Sequence, residues 1–176
     1  MNPEERKQKI ISYGAANQQL DEALEKFPKE MWQYKPGPER WSIHEIILHL
    51  ADSETNSYIR CRCGIAESGK SIMAYDEDQW AISLQYQEQS AQDALELFKL
   101  LRQMSYNLIE TLPASAWSNT INHPEGGIMT LDDWLNIYVN HIAQHIRQMQ
   151  ATYDAWVAEQ KGQSPDTEKS LFKFST

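Results

Sequence analysis

Apolar residues recur at helical spacing along four stretches of this chain, separated by polar or proline-rich segments. Ile10, Tyr13, Leu20, Leu24 and Phe27 mark one face of a helix that opens at Pro3 and runs to about Pro28. Tyr34-Lys35-Pro36-Gly37-Pro38 then breaks the helical geometry and predicts a turn-rich connector. Ser42 and Glu45 have the spacing of a capping box, and the run through Ile43, Ile46, Ile47, Leu50 and Ala51 carries a second helix to about Ile65. A long connection follows from about Glu67 to Gln89, in which Tyr75 to Trp80 suit a short helix but lack the period that would demand one. The third helix starts near Ser90, carries Ala94, Leu97, Phe98, Leu101, Met104, Leu108 and Leu112, and stops before Pro113. Between Ser118 and Met129 the turn Asn122-His123-Pro124-Glu125-Gly126-Gly127 has short apolar flanks, which predicts a small hairpin. Thr130 caps the longest helix, with Asp133 in its acidic first turn, and the pattern continues to about Glu159.

Four long helical patterns with almost no strand signal predict an all-α four-helix bundle. The expected organisation is a single domain over residues 1–161 and a C-terminal tail over 162–176, rich in Ser, Lys, Asp and Thr. A chain of 176 residues buries enough surface, roughly 70%, to fold without disulfides or a structural metal. Acidic residues number 25 against 16 basic ones, for a formal charge of −9, and the basic residues are scattered. Such a surface repels phosphate backbones and anionic headgroups, which argues against nucleic-acid and membrane partners. Met1 to Lys7 is charged with no apolar stretch after it, and no apolar run reaches the length of a membrane span. Cys61 and Cys63, two residues apart on a helix, point about 160° away from each other, so they share neither a disulfide nor a metal. Free thiols without an export signal predict a cytoplasmic protein.

The fourth helix carries the chemistry. Trp134, Tyr138, His141, His145, Gln148 and Thr152 follow alternating steps of four and three, the seam of a packed helix, and this seam turns polar at its middle. Buried imidazoles need partners, with about 1–3 kcal/mol at stake for each unsatisfied polar group. His141 and His145 lie about 40° apart around the helix and one turn along it, so one cation can reach both rings. His49, at the edge of the apolar stripe of the second helix, would complete a three-imidazole site if the two helices pack face to face. Periodicity alone does not place it there.

His44 and His49 superficially resemble a metalloprotease helix, but a step of five turns the second ring about 140° away, which excludes that reading. His44 is expected to be a solvated first-turn residue and His123 a loop residue. Asp52, one turn beyond His49, is the better candidate for a supporting or basic carboxylate, with Glu54 the other. Tyr13, Tyr58, Tyr138, Trp134 and Trp156 are candidates to line a pocket. No glycine-rich phosphate loop, Ser-His-Asp signature or Cys-x-x-Cys pair occurs.

Arg40-Trp41-Ser42-Ile43, His49-Leu50-Ala51-Asp52-Ser53, Asn56-Ser57-Tyr58-Ile59-Arg60, Tyr75-Asp76-Glu77, His123-Pro124-Glu125-Gly126 and His141-x-x-x-His145 follow one another in an order that resembles the DinB-like family of metal-binding four-helix bundles. The likeness is closest to its YfiT-type branch of metal-dependent hydrolases and bacillithiol S-transferases, and it covers about residues 20–157. The resemblance implies His49, His141 and His145 as the metal ligands, an up-down-down-up bundle with one long crossover, and a homodimer. It implies no DNA binding, despite the damage-inducible origin of the family name.

Three neutral imidazoles leave a divalent ion with open positions. There a water is acidified toward a pKa of about 7 for hydrolysis, or a low-molecular-weight thiol is held as thiolate for transfer to an electrophile. Zinc suits the ligand set best, and nickel, iron and manganese also bind such sites. The leading expectation is therefore a metal-dependent enzyme that transfers a bacillithiol-type thiol. A metal-dependent hydrolase is the alternative, and a non-catalytic metal-binding stress-response protein the third reading.

Overall fold

The computed structural model describes residues 1–162, most of which form four helical columns. The first column is α1 (Pro3–Gly14) continued by α2 (Ala16–Leu24), the second is α3 (Ile43–Ala66), the third is α5 (Ala91–Ile109) and the fourth is α6 (Leu131–Gly162). The first predicted helix is thus interrupted at Ala15. Gly14 lies against the Tyr106 ring of α5, where a Cβ would come within 2.6 Å of Cε2, so only glycine admits this approach. The expected capping box is present, Ser42 and Glu45 bonding reciprocally at the start of α3, and the expected Thr130 cap of α6 closes the same kind of reciprocal pair with Asp133. The expected tail at 162–176 lies, but for Gly162, outside the described residues.

Side-chain pairs fix the helix directions. Arg6 grips Asp132 through two 2.7 Å bonds, Lys9 meets Asn136, and Tyr13 packs on Trp134, so α1 and α6 run parallel. Glu54 pairs with Arg102 and Arg62 donates to Ser105, so α3 and α5 are parallel as well. Asn17 of α2 donates to the Lys99 carbonyl while Gly14 meets Tyr106, which sets the first column antiparallel to α5. The order is therefore up-down-down-up, and α3 and α5 require the long crossover between them. No helix among the described residues is long and apolar enough to cross a membrane.

The crossover is more structured than periodicity suggests. It holds β1 (Lys70–Ser71), α4 (Glu77–Ser83) and a 3₁₀ turn at Tyr86–Glu88. The predicted hairpin forms from β2 (Thr120–His123) and β3 (Gly127–Thr130), with Gly127 at a φ of 69° in its turn. β1 adds to β2 in parallel, pairing Lys70 with Ile121, and so ties the crossover to the entrance of α6.

Two apolar cores occupy the ends of the bundle, one around Leu20, Met31, Ile46 and Phe98 and the other around Tyr13, Trp117, Trp134 and Leu135. Polar groups gather between them. Glu54 and Arg102, both essentially inaccessible, meet at 2.5 Å; Tyr13 donates its hydroxyl to Glu54 at 2.8 Å, and Arg102 donates to the Tyr138 carbonyl at 3.2 Å. Glu54, one of the two carboxylates weighed from the sequence, is thereby committed to a structural ion pair.

Candidate metal centre

His49 of α3 faces His141 and His145 of α6 across the bundle, and the three candidate ligand nitrogens lie within 4.8 Å of one another. His141 Nε2 sits 3.0 Å from His145 Nε2 and 3.4 Å from His49 Nε2. Zinc–nitrogen bonds of about 2.0–2.1 Å in tetrahedral array require ligand nitrogens about 3.3 Å apart, which these spacings approach. Three imidazole nitrogens turned on one point cannot all satisfy each other, since each neutral ring has one N–H and one lone pair. A central cation resolves that conflict.

The rings are held in the form that binds metals. His145 Nδ1 lies 2.9 Å from Gln148 Oε1, an acceptor, so Nδ1 carries the proton and Nε2 turns its lone pair toward the other two rings. Burial pushes the His49 imidazole down to about 3, with His145 adding to the shift. Burial likewise pushes His141 down to about 2, helped by His145, His49 and Arg102. His145 is lowered by burial too, against the opposing Gln148 bond. All three are neutral at physiological pH and free to ligate. Trp41, at the mouth of α3, packs its ring 4.8 Å from that of His49 and covers it.

A carboxylate completes the surroundings. The Asp76 side chain caps α4 by accepting from Gln79 N at 2.9 Å, which sets Glu77 in the first turn and brings its Oε2 to 4.0 Å from His49 Nε2. Burial and then Asp78 push the Glu77 carboxyl up, with Arg60 opposing. Glu39, Trp41, Glu77, Asp78, His145 and Gln148 line an opening of about 230 Å³ onto the imidazoles. Sequence reasoning gave Glu77 and Gln148 no role. The signal for Glu77 was the pattern Asp76-x-x-Gln79, a helix start inside a segment too short to show a period.

Three expectations need correction. His44 is buried rather than solvated: the 3₁₀ turn after α4 covers the first turn of α3, and the His44 Nε2–H donates to the Tyr86 carbonyl at 3.0 Å. Asp52, the favoured base, accepts the Tyr86 hydroxyl at 2.5 Å on the side of α3 that faces α5, leaving Glu77 as the carboxylate against the imidazoles. His123, expected in a loop, is instead the last residue of strand β2, paired with Gly127 beside the hairpin turn. Cys61 and Cys63 are free thiols.

Gln148 fixes the tautomer of His145, so Gln148→Ala should weaken divalent-metal affinity about 10- to 100-fold, measured by competition with a chromophoric chelator. An unchanged affinity would mean that Gln148 does not orient the ring.

A family model described as the DinB superfamily matches residues 13–149, well over half of the chain. The chain is 29% identical over 111 residues to "Putative metal-dependent hydrolase BH0277" of Halalkalibacterium halodurans, covering 61% of this chain and 64% of that protein. It is 32% identical over 107 residues to "Putative metal-dependent hydrolase YfiT" of Bacillus subtilis, covering 60% of each. The matched stretch thus spans about three fifths of the length of these curated relatives. The solved structure of YfiT, described as "a probable metal-dependent hydrolase with an unusual four-helix bundle topology", superposes with a TM-score of 0.79 at 24% identity over 92% of this chain and 90% of that one, which shows a shared fold. With the matched segment running from the first column to the histidine pair and beyond it, this chain belongs to the DinB superfamily.

Proposed function

We propose that this protein is a divalent-metal enzyme that hydrolyses a small molecule, with His49, His141 and His145 as the metal ligands and Glu77 as the proton acceptor. The observation that carries the reading is the Glu77 carboxylate 4.0 Å from His49 Nε2, at the open side of three neutral imidazoles. A divalent ion held by these three residues would supply Lewis acidity, polarising a carbonyl and lowering the pKa of a water or thiol. Glu77 takes the released proton at Oε2, and its raised affinity for protons, due mainly to burial, brings it nearer the working pH. Gln148 keeps the His145 ring turned inward, and Trp41 shields His49 from bulk water. The names of the relatives favour the same reaction.

Transfer of a low-molecular-weight thiol, the reaction the resemblance puts first, is the second reading. The same carboxylate favours it, because Glu77 accepts a thiol proton as well as a water proton. One experiment separates the two: the zinc-loaded protein is given p-nitrophenyl acetate and a panel of amides, and in parallel cellular thiols with 1-chloro-2,4-dinitrobenzene. Metal-dependent cleavage without conjugate supports the hydrolase, conjugate without cleavage supports transfer, and neither leaves a metal-binding protein without turnover. Glu77→Gln should lower whichever rate is found by about 10²-fold or more with metal content intact. An unchanged rate removes Glu77 from the chemistry.

A further inference from the structure

A second cavity, of about 390 Å³, opens where the hairpin meets the first half of α6, within the size range of small-molecule sites. Its walls are mostly apolar, with Ile72, Ile121 and Met129 contributing from the crossover and hairpin and Ile137 from α6. Arg60 closes one side. The Arg60 guanidinium donates to the Tyr138 hydroxyl at 3.0 Å and to the Met73 carbonyl at 2.8 Å, both uncharged acceptors. Among the described residues no Asp or Glu comes within 4.0 Å of it, and its buried Nε–H has no acceptor. Its charge is therefore not neutralised by an ion pair.

The other polar groups on the lining repeat this bias toward donors. Trp134, 1% exposed, has a buried Nε1–H without an acceptor. The Tyr138 hydroxyl accepts from Arg60 and retains its own hydrogen to donate. His123 Nδ1 accepts from the backbone N–H groups of Glu125 and Gly126 at 3.2 and 3.1 Å, so its Nε2 carries the proton. The lining carboxylate, Glu125, is exposed on the hairpin turn. A cavity with apolar walls, one unneutralised guanidinium and an excess of buried donors matches a carboxylate joined to an apolar body.

We propose that this cavity binds the carboxylate end of a small aryl or alkyl acid, with Arg60 as the anchoring residue. Tyr138 joins it to the metal centre: its hydroxyl takes Arg60, and its ring stands edge-on to His141 with centroids 6.1 Å apart. The opening at the imidazoles carries Glu39, Glu77 and Asp78, which repel an anion, so the acid end is directed to Arg60 and not to that mouth. That this acid is the enzyme's own substrate rests on the hydrolase reading above, whereas the binding stands on the cavity alone.

The test is calorimetric titration of the zinc-loaded protein with 3-phenylpropionate and with its neutral amide, 3-phenylpropionamide. The acid should bind about 10-fold or more tighter than the amide, and Arg60→Met should bring the acid down to the level of the amide. Met129→Trp, which fills the cavity without touching Arg60, should abolish binding of both and covers the case in which the Arg60 variant does not fold. His145→Ala should leave the affinity for the acid unchanged, which separates this site from the metal centre. Equal binding of acid and amide, undiminished binding in Arg60→Met or Met129→Trp, or loss confined to His145→Ala would each overturn the assignment.

Discussion

Replacing His141 with Ala should abolish stoichiometric retention of a divalent metal and, with it, any metal-dependent turnover. His141 is the hinge of the trio, since its Nε2 is the atom within 3.0 Å of His145 Nε2 and 3.4 Å of His49 Nε2. Structural zinc sites bind with about 10–16 kcal/mol over four ligands, so one imidazole is worth about 2.5–4 kcal/mol, or about 10²- to 10³-fold in affinity. The two candidate ligands left behind should no longer hold an ion through dialysis. His44→Ala serves as the control, because its Nε2 is engaged by the Tyr86 carbonyl and does not reach the trio. Metal content per chain after dialysis, read by mass spectrometry, decides the matter: full content in His141→Ala sinks the site, as does loss of metal in His44→Ala.

How much of this centre could be read from the sequence depends on which force placed each residue. The pair His141 and His145 was legible because both ligands share one helix, whose geometry is local and fixed. His49 lay on a separate helix, and its position opposite the pair depends on how α3 packs, which periodicity does not encode; the family likeness supplied it. Ser42 with Glu45 announced α3 because a capping box is a local signal, and Thr130 with an acidic first turn announced α6 for the same reason of locality. Glu77, by contrast, reaches the imidazoles only because a seven-residue helix in the crossover folds back over α3, and so short a helix has no stripe to betray it. The burial of His44 and the diversion of Asp52 to Tyr86 have the same origin, since both partners come from the 3₁₀ turn of that crossover. The parallel pairing of β1 with β2 joins residues about fifty apart in two-residue and four-residue strands, and strands that short leave no alternation to read.

The largest effect on stability should come from Arg102→Met, a residue that touches none of the three histidines. Arg102 and Glu54 are buried to within 1% of complete, and their mutual attraction offsets the cost of taking both charges out of water. Removing the guanidinium strands a carboxylate in the core, at about 3–5 kcal/mol, against a total stability of about 5–15 kcal/mol for a domain. It also removes the Arg102 bond to the Tyr138 carbonyl, one turn before His141 on α6, and the guanidinium stacked 4.0 Å above the Tyr13 ring. The loss has a pH signature whose sign follows from Glu54. Burial already holds that carboxyl above the usual range, with Arg102 and the Tyr13 hydroxyl pulling it back, and deleting Arg102 drives it higher. A carboxyl whose folded pKa is raised gives its full contribution below the unfolded pKa of about 4.3 and loses it as pH rises through the folded value. The gap in urea midpoint between wild type and Arg102→Met should therefore be small near pH 4.5 and widen toward pH 8. The double variant Glu54→Leu/Arg102→Leu, which leaves no charge behind, should recover a large part of the lost stability and flatten that dependence. A gap that stays constant across this range, or a double variant no more stable than Arg102→Met, would show that the cost arises from lost packing and not from the stranded carboxylate.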